Sequence, residues 1–219
     1  MCRFFALSAL AWSLFLFFPL WSLGEETDIP KAKLPVLTTS AGQSADVNTL
    51  NVIMEQAGVQ YDYCDVPTVE MIKSGVGLGG IKSSEGFHVE ITTDLEQFKE
   101  GTPYQTIVFA IGASLKGMGA SGLTVESEIK RLEALIAYCK KNKIFIIAVH
   151  AGGESKRGAP GSDNEKMIDT IAPFADYIIA VKDSNKDGRF TKITKDKGIP
   201  FIEVKYALGI VELMQQIFK

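Results

Sequence analysis

Three residues of this chain have the types and spacing to do chemistry together: His150, Glu154 and Ser114. His150 ends the apolar run Ile144 to Val149 (IFIIAV), Glu154 follows four residues later, and Ser114 lies just beyond a second apolar run, Thr106 to Ile111 (TIVFAI). A histidine beside a carboxylate can serve as general base. A nearby hydroxyl or an activated water could then be the nucleophile of a hydrolase or transferase. No G-x-S-x-G nucleophile elbow occurs, and a histidine at a strand end serves as readily as a hydrogen-bonding pocket residue. The other histidine, His88, stands in an irregular stretch and is expected on the surface.

A second group of residues is suited to binding rather than catalysis. The stretch after the first apolar run holds Ser40, Gly42, Gln43 and Ser44, and the stretch after TIVFAI holds Gly112, Ser114, Lys116, Gly117 and Gly119. The stretch after IFIIAV holds Gly152, Gly153, Glu154, Lys156 and Arg157. Nine of the 20 glycines fall in these three loops. Glycine lets backbone N–H groups approach a ligand closely, helix N-termini favour negative charge, and Lys or Arg completes an anion site. Lys182, Lys186 and Lys205 follow the last two strands, so six cations (Lys116, Lys156, Arg157, Lys182, Lys186, Lys205) are expected on one pole. A small anionic ligand is the expectation; the alternatives are the hydrolase or transferase above and a partner-interaction domain without a small ligand, in which Gly, Ser and Asp serve turns and caps alone. Asp183-x-Asn185-x-Asp187-Gly188 opens like a calcium loop, but Thr194 stands where the closing glutamate belongs. A tight Asx-type turn is expected there, with no metal site.

These loops must be positioned by alternating strands and helices. Strands are expected at Val36 to Thr39, Val59 to Cys64, Thr106 to Ile111, Ile144 to Val149, Tyr177 to Val181 and Phe201 to Val204. Helices are expected at Ala45 to Ala57, Val125 to Lys141, Asp163 to Phe174, Phe190 to Lys197 and Tyr206 to Phe218, with Gly58 and Gly198 as C-terminal caps. Repeated βα order predicts a three-layer α/β/α domain, Rossmann-like or flavodoxin-like, with a mostly parallel sheet of five or six strands. Ligands of such sheets sit beyond the carboxyl ends of the strands, where strand order reverses. If that point falls between the first strand and TIVFAI, the Ser40–Ser44 and Ser114–Gly119 loops face each other. Residues 65–105 break the rhythm. They read as a Gly-rich irregular insertion, with a small hairpin through Phe87 to Thr92 and a capping box at Thr93 to Glu96 opening a short helix.

The chain has 219 residues and a net charge of −3. Arg3, the apolar run Phe4 to Leu23 and Ser22-Leu23-Gly24 fit an export signal at residues 1–24, with an uncleaved anchor as the alternative. The mature chain is then secreted or periplasmic, with a linker at 25–34, a single domain at 35–219 and a net charge of about −4. No basic footprint of a nucleic-acid binder and no second apolar run long enough to span a membrane are present. No motif indicates a cofactor. Cys64 and Cys139 are expected at opposite poles of the sheet, as two buried thiols rather than a disulfide.

With Thr39 to Asp46, Gly112-x-Ser114-x-Lys116-Gly117-x-Gly119, His150-x-Gly152-Gly153-Glu154-x-x-Arg157-Gly158 and Asn185-Lys186-Asp187-Gly188-x-Phe190-Thr191 in view, the chain resembles a family of exported bacterial proteins classed as domain of unknown function 6305. The resemblance covers roughly Leu34 to Phe218. It implies a secreted or periplasmic Rossmann-like domain without an assigned activity, and it carries over no catalytic residue.

Overall fold

The structure, a computed structural model, describes residues 29–219, so the expected export signal lies outside the described residues. The first half contains β1 (Val36–Ala41), α1 (Asp46–Gln56), β2 (Asp62–Cys64), α2 (Val69–Lys73), β3 (Val89–Ile91) and β4 (Thr106–Ile111). There follow α3 (Leu115–Ala120), α4 (Val125–Asn142), β5 (Phe145–His150), α5 (Asp163–Ile171), β6 (Tyr177–Val181), α6 (Arg189–Lys197), β7 (Phe201–Val204) and α7 (Gly209–Ile217).

The strands form one seven-stranded sheet in the order β3-β2-β1-β4-β5-β6-β7, parallel throughout except for β3. The chain runs from β1 outward to β2, then returns to the other side of β1 to build β4 through β7. Strand order therefore reverses between β1 and β4, as in a flavodoxin-like sheet. The strand beyond the expected five or six is β3. It pairs antiparallel with β2 through Asp62↔Ile91, Tyr63↔Glu90 and Cys64↔Val89.

Period-two alternation divides the sheet residues between two cores. Leu37, Ile107, Phe109, Ile111, Ile146, Ala148 and Ile178 face one way, against α4 and α5. Val36, Val108, Ala110, Ile147, Val149 and Ile179 face the other, against α1 and α7. Both faces of the central strands are thus covered, which is why their sequences are unbroken apolar runs. The long helix α4 opens on a capping box in which Thr124 Oγ1 accepts from the Ser127 N–H at 3.2 Å and Ser127 Oγ accepts from the Thr124 N–H at 2.8 Å. Residues 29–34, expected as a linker, are docked: Ile29, Ala32 and Leu34 pack on the α1/α7 core, and the Ala32 N–H donates to the Ile217 carbonyl.

Three local expectations are corrected. The Thr93 to Glu96 capping box opens no helix; Asp94 instead closes a turn, its Oδ1 accepting from the Glu96 N–H at 2.8 Å. The loop after β4 is partly helical, because Ser114 caps α3. The second strand is limited to Asp62–Cys64, since the Val59 N–H is used on the Met54 carbonyl to close α1. The insertion 65–105 is anchored by one fully buried carboxylate. Asp62 accepts from the Gly77 N–H (2.8 Å), the Tyr104 hydroxyl (2.5 Å) and the Thr93 N–H (3.4 Å). No helix among the described residues is long and apolar enough to cross a membrane.

Cys64 on β2 and Cys139 on α4 are both buried and unbridged, and burial pushes each thiol up to about 12. A buried thiol with so little thiolate is a poor nucleophile. Thiol reagents are therefore expected to label neither cysteine in the native protein and both after denaturation without reductant. Mass spectrometry recovering a Cys64–Cys139 linked peptide would contradict this.

Candidate functional site

The reversal between β1 and β4 opens a crevice at the carboxyl ends of the strands, with a volume of about 360 Å³. Its floor is held by a buried ion pair from α4. Glu128 is fully buried, and its Oε1 accepts from Arg131 Nη2 at 2.7 Å and from the Gly42 N–H at 2.8 Å. Arg131 Nη2 also donates to the Ser40 carbonyl at 2.9 Å. Gln43, with φ of 56°, donates from Nε2 to the Asp65 carbonyl at 2.9 Å and pairs through its backbone with Ala113. These contacts tie the turn after β1 to α4, to the end of β2 and to the start of the β4 loop. The β4 loop must come very close. A β-carbon added at Gly117 would run into the Gln43 carbonyl oxygen.

Five segments line the crevice. Ser40, Gln43 and Ser44 come from β1 and its turn, Asn48 from the exposed first turns of α1, and Tyr63 and Asp65 from the end of β2. Gly117 and Ser121 belong to α3 and its C-cap, and Gly86 and His88 come from the insertion and form the outer wall. Gly86, with φ of 71°, lies so close to the Ala120 carbonyl that no side chain fits between them. The wall is pinned by Asp65, whose Oδ1 accepts from the His88 N–H at 3.0 Å and whose Oδ2 faces His88 Nδ1 at 3.3 Å. Burial, reinforced by the neighbouring Asp65 carboxylate, pushes the Tyr63 hydroxyl well up, so it stays protonated. Ser40 Oγ is buried and has no hydrogen-bond partner. Among the described residues, no lysine or arginine lines this crevice.

Of the residues expected at a ligand site, Ser40, Gln43, Ser44 and Gly117 line the crevice, and Gly42 lies in its floor. Ser44 Oγ donates to Asp46 Oδ2 at 2.6 Å. Gly112 lies under that pair, where a side chain would strike Asp46 and Ser44. Ser114 is a cap, accepting from the Gly117 N–H at 3.0 Å, while Lys116 and Gly119 are exposed on α3. Gly152, Gly153, Glu154, Arg157 and Lys182 lie beyond β5 and β6 and do not line the crevice.

The proposed His150, Glu154 and Ser114 constellation is not assembled. His150 is fully buried; its Nε2 meets the Lys156 carbonyl at 3.1 Å and its Nδ1 meets Ser184 Oγ at 2.7 Å. A carbonyl only accepts, so Nε2 carries the proton and Nδ1 accepts from Ser184, the neutral tautomer. Burial holds this imidazole below its ordinary range. It is a structural pin, packed against Phe190 at 5.3 Å, with no free nitrogen for a substrate. Glu154 points away on an exposed side chain and pairs with Lys186 at 2.6 Å.

The six cations do occupy the carboxyl-end pole, but three face acidic partners. Arg157 bonds Glu165 (2.7 Å), Asp187 (2.7 Å) and the Ser184 carbonyl, and stacks on Phe190. Lys186 faces Glu154 and Asp183, and Lys156 stands 4.0 Å from Asp46. The Asp183 to Gly188 stretch begins in a short 3₁₀ turn (Lys182–Asn185) and ends in an Asx turn, with Asp187 Oδ1 accepting from the Arg189 N–H at 3.2 Å; Asn185 Oδ1 accepts from the Phe190 N–H at 2.9 Å.

Asn48, Tyr63, Asp65, Gly86 and His88 were not expected at the site. Asp65 follows a strand end, so the rule that pointed to the other loops applied to it equally. The remaining residues reach the crevice through pairings with no local sequence signal.

Fold and site define a doubly wound α/β protein with a polar crevice at its switch point. Residues 33–218 match the family model described as Domain of unknown function (DUF6305), and the chain belongs to that family. The comparison with curated proteins gave no match. Among solved structures, pyridoxal kinase from Entamoeba histolytica is 14% identical over 80% of this chain with a TM-score of 0.39, and the chain spans 66% of that kinase. The YdjI aldolase from Escherichia coli K12 is 13% identical, covering 82% of this chain and 71% of the aldolase, with a TM-score of 0.26.

Two outcomes test the site's construction. Glu128→Ala strands the buried Arg131 charge and frees Gly42, so denaturant unfolding should show a loss of about 3–5 kcal/mol, with a smaller loss for Glu128→Gln. For His150, the unfolded chain takes up a proton near the ordinary value of 6.5 while the folded chain does not until lower pH. Its contribution is therefore complete above that value and falls as pH drops, by up to about 1.4 kcal/mol per pH unit. The stability difference between wild type and His150→Gln should accordingly shrink from pH 7.5 toward pH 5.5, measured by urea titration.

Proposed function

We propose that the β1/β4 crevice binds a small, hydroxyl-rich molecule without net negative charge. The observation that carries this reading is Ser40 Oγ, buried at the crevice wall without a partner. An unmet buried hydroxyl costs about 1–3 kcal/mol, which a ligand hydroxyl would recover. Around it stand Tyr63, Ser44, Asn48 and Gln43, a mixture of donors and acceptors suited to hydroxyl groups. The volume lies in the range of small-molecule sites.

The charge distribution argues against the anion expected at first. Arg157, Lys186 and Lys156 face carboxylates outside the crevice lining, and the crevice wall carries the Asp65 carboxylate instead. An anion there would meet like charge in a partly desolvated site. Lys116, on the first turn of α3 beside Gly117, is the cation an anionic ligand would need. The hydrolase or transferase reading loses its base, because His150 is committed on both nitrogens. With export through residues 1–24 included in the proposal, the ligand would be met outside the cytoplasm.

The test is calorimetric titration with neutral hexoses, pentoses, inositol and ribonucleosides, each beside its phosphorylated counterpart. At least one neutral compound should bind at a single site, at least tenfold tighter than its phosphate, and Ser40→Ala should weaken it by roughly five- to tenfold. Tighter binding of the phosphates, lost in Lys116→Ala, would overturn the reading in favour of an anion.

A further inference from the structure

A second depression lies along the exposed flank of α1. It measures about 390 Å³ and is walled by Asn48, Val52, Ile53 and Gln56 of α1 and by Ala207 and Leu208 from the turn between β7 and α7. Nothing charged lines it, and its surface is mainly apolar. Val52 is 48% exposed and Leu208 69%, large apolar side chains left to water where neighbouring α1 residues such as Leu50 and Met54 are buried in the core. Apolar walls of this kind suit an apolar ligand.

The groove's position indicates which. Asn48 lines both this groove and the crevice, so the two depressions adjoin at the first turns of α1; the groove lining carries no charge, and the carboxylate of the crevice lining is Asp65. From Asn48 the groove follows one helix flank through Val52 to Gln56, a path of roughly 12 Å at the helical rise. The crevice is polar and holds the unpartnered Ser40 hydroxyl; the groove adjoining it at Asn48 is apolar and open.

We infer that the ligand is an amphiphile: a neutral, hydroxyl-rich head seated in the β1/β4 crevice, carrying a single apolar chain that crosses Asn48 and lies between Val52 and Leu208. This rests on the crevice reading above and adds the ligand class. The groove supplies affinity through buried methylene groups, and the crevice supplies recognition of the head. A neutral head suits the Asp65 wall, and an uncharged chain suits a groove without charged walls.

Methyl and octyl β-D-glucoside share one neutral head and differ in the chain, so their calorimetric titration into the full-length protein, below micelle formation, isolates the chain. Octyl glucoside should bind at least roughly tenfold tighter than methyl glucoside, since only a few buried methylenes suffice for that factor. The double variant Val52→Ser, Leu208→Ser, altered at two exposed positions, should bring the octyl affinity down to the methyl value, while Ser40→Ala should weaken both probes alike. Equal affinity for the two glucosides, or a chain gain untouched by the double variant, would overturn the amphiphile while leaving the crevice reading standing. Octyl binding indifferent to Ser40→Ala would overturn it too, by showing that the groove takes its ligand without the crevice. If neither glucoside binds although a neutral compound from the preceding titration does, the amphiphile is likewise overturned and the crevice reading stands. If no neutral compound binds at all, both fall.

Discussion

The ion pair between Glu128 and Arg131 holds the place where this sheet changes direction. At a switch point two neighbouring strands send their following segments apart, so the backbone between them is left with N–H and C=O groups that no ladder satisfies. Here α4 meets that need: Glu128 takes the Gly42 N–H and Arg131 donates to the Ser40 carbonyl. Two charges removed from water are costly unless each remaining bonding position is filled. The pair satisfies this condition by using its spare valences on the turn after β1. The charges are therefore justified by the backbone they serve, while Ser40 Oγ beside them stays buried without a partner.

Much of the architecture is legible in the sequence because the central strands are buried on both sides. TIVFAI and YIIAV have no choice but to be interior strands, and their observed bounds coincide with the apolar runs. The long α4 follows from its apolar spacing and the basic residues of its last turn. The insertion after β2 departs from its expected pattern because it depends on partners far away in sequence. It is organised by Asp62, which gathers Gly77, Thr93 and Tyr104 from positions 15, 31 and 42 residues distant. No window of local pattern contains that information.

The site shows the same division. Ser40, Gln43, Ser44 and Gly117, which the rule about strand ends picks out, line the crevice. The charges of the loops were visible but their partners were not. Arg157 looked available as a cation, whereas Glu165 and Asp187 hold it from either side. His150 looked available as a base, whereas Ser184, the Lys156 carbonyl and Phe190 make it part of the interior. Residue type indicates what chemistry a group can perform, and burial decides whether it is free to perform it.

The outer wall of the crevice has a different origin from its floor. The floor belongs to the parallel sheet and α4, while the wall comes from a segment joined to the sheet through three residue pairs of β3, the grip of Asp62 and the bonds between Asp65 and His88. Floor and wall are therefore separable modules. Exchanging residues around Gly86 and His88 reshapes the entrance without disturbing a single parallel ladder or the ion pair beneath. A family built on this plan can keep one chassis and diversify its doorway.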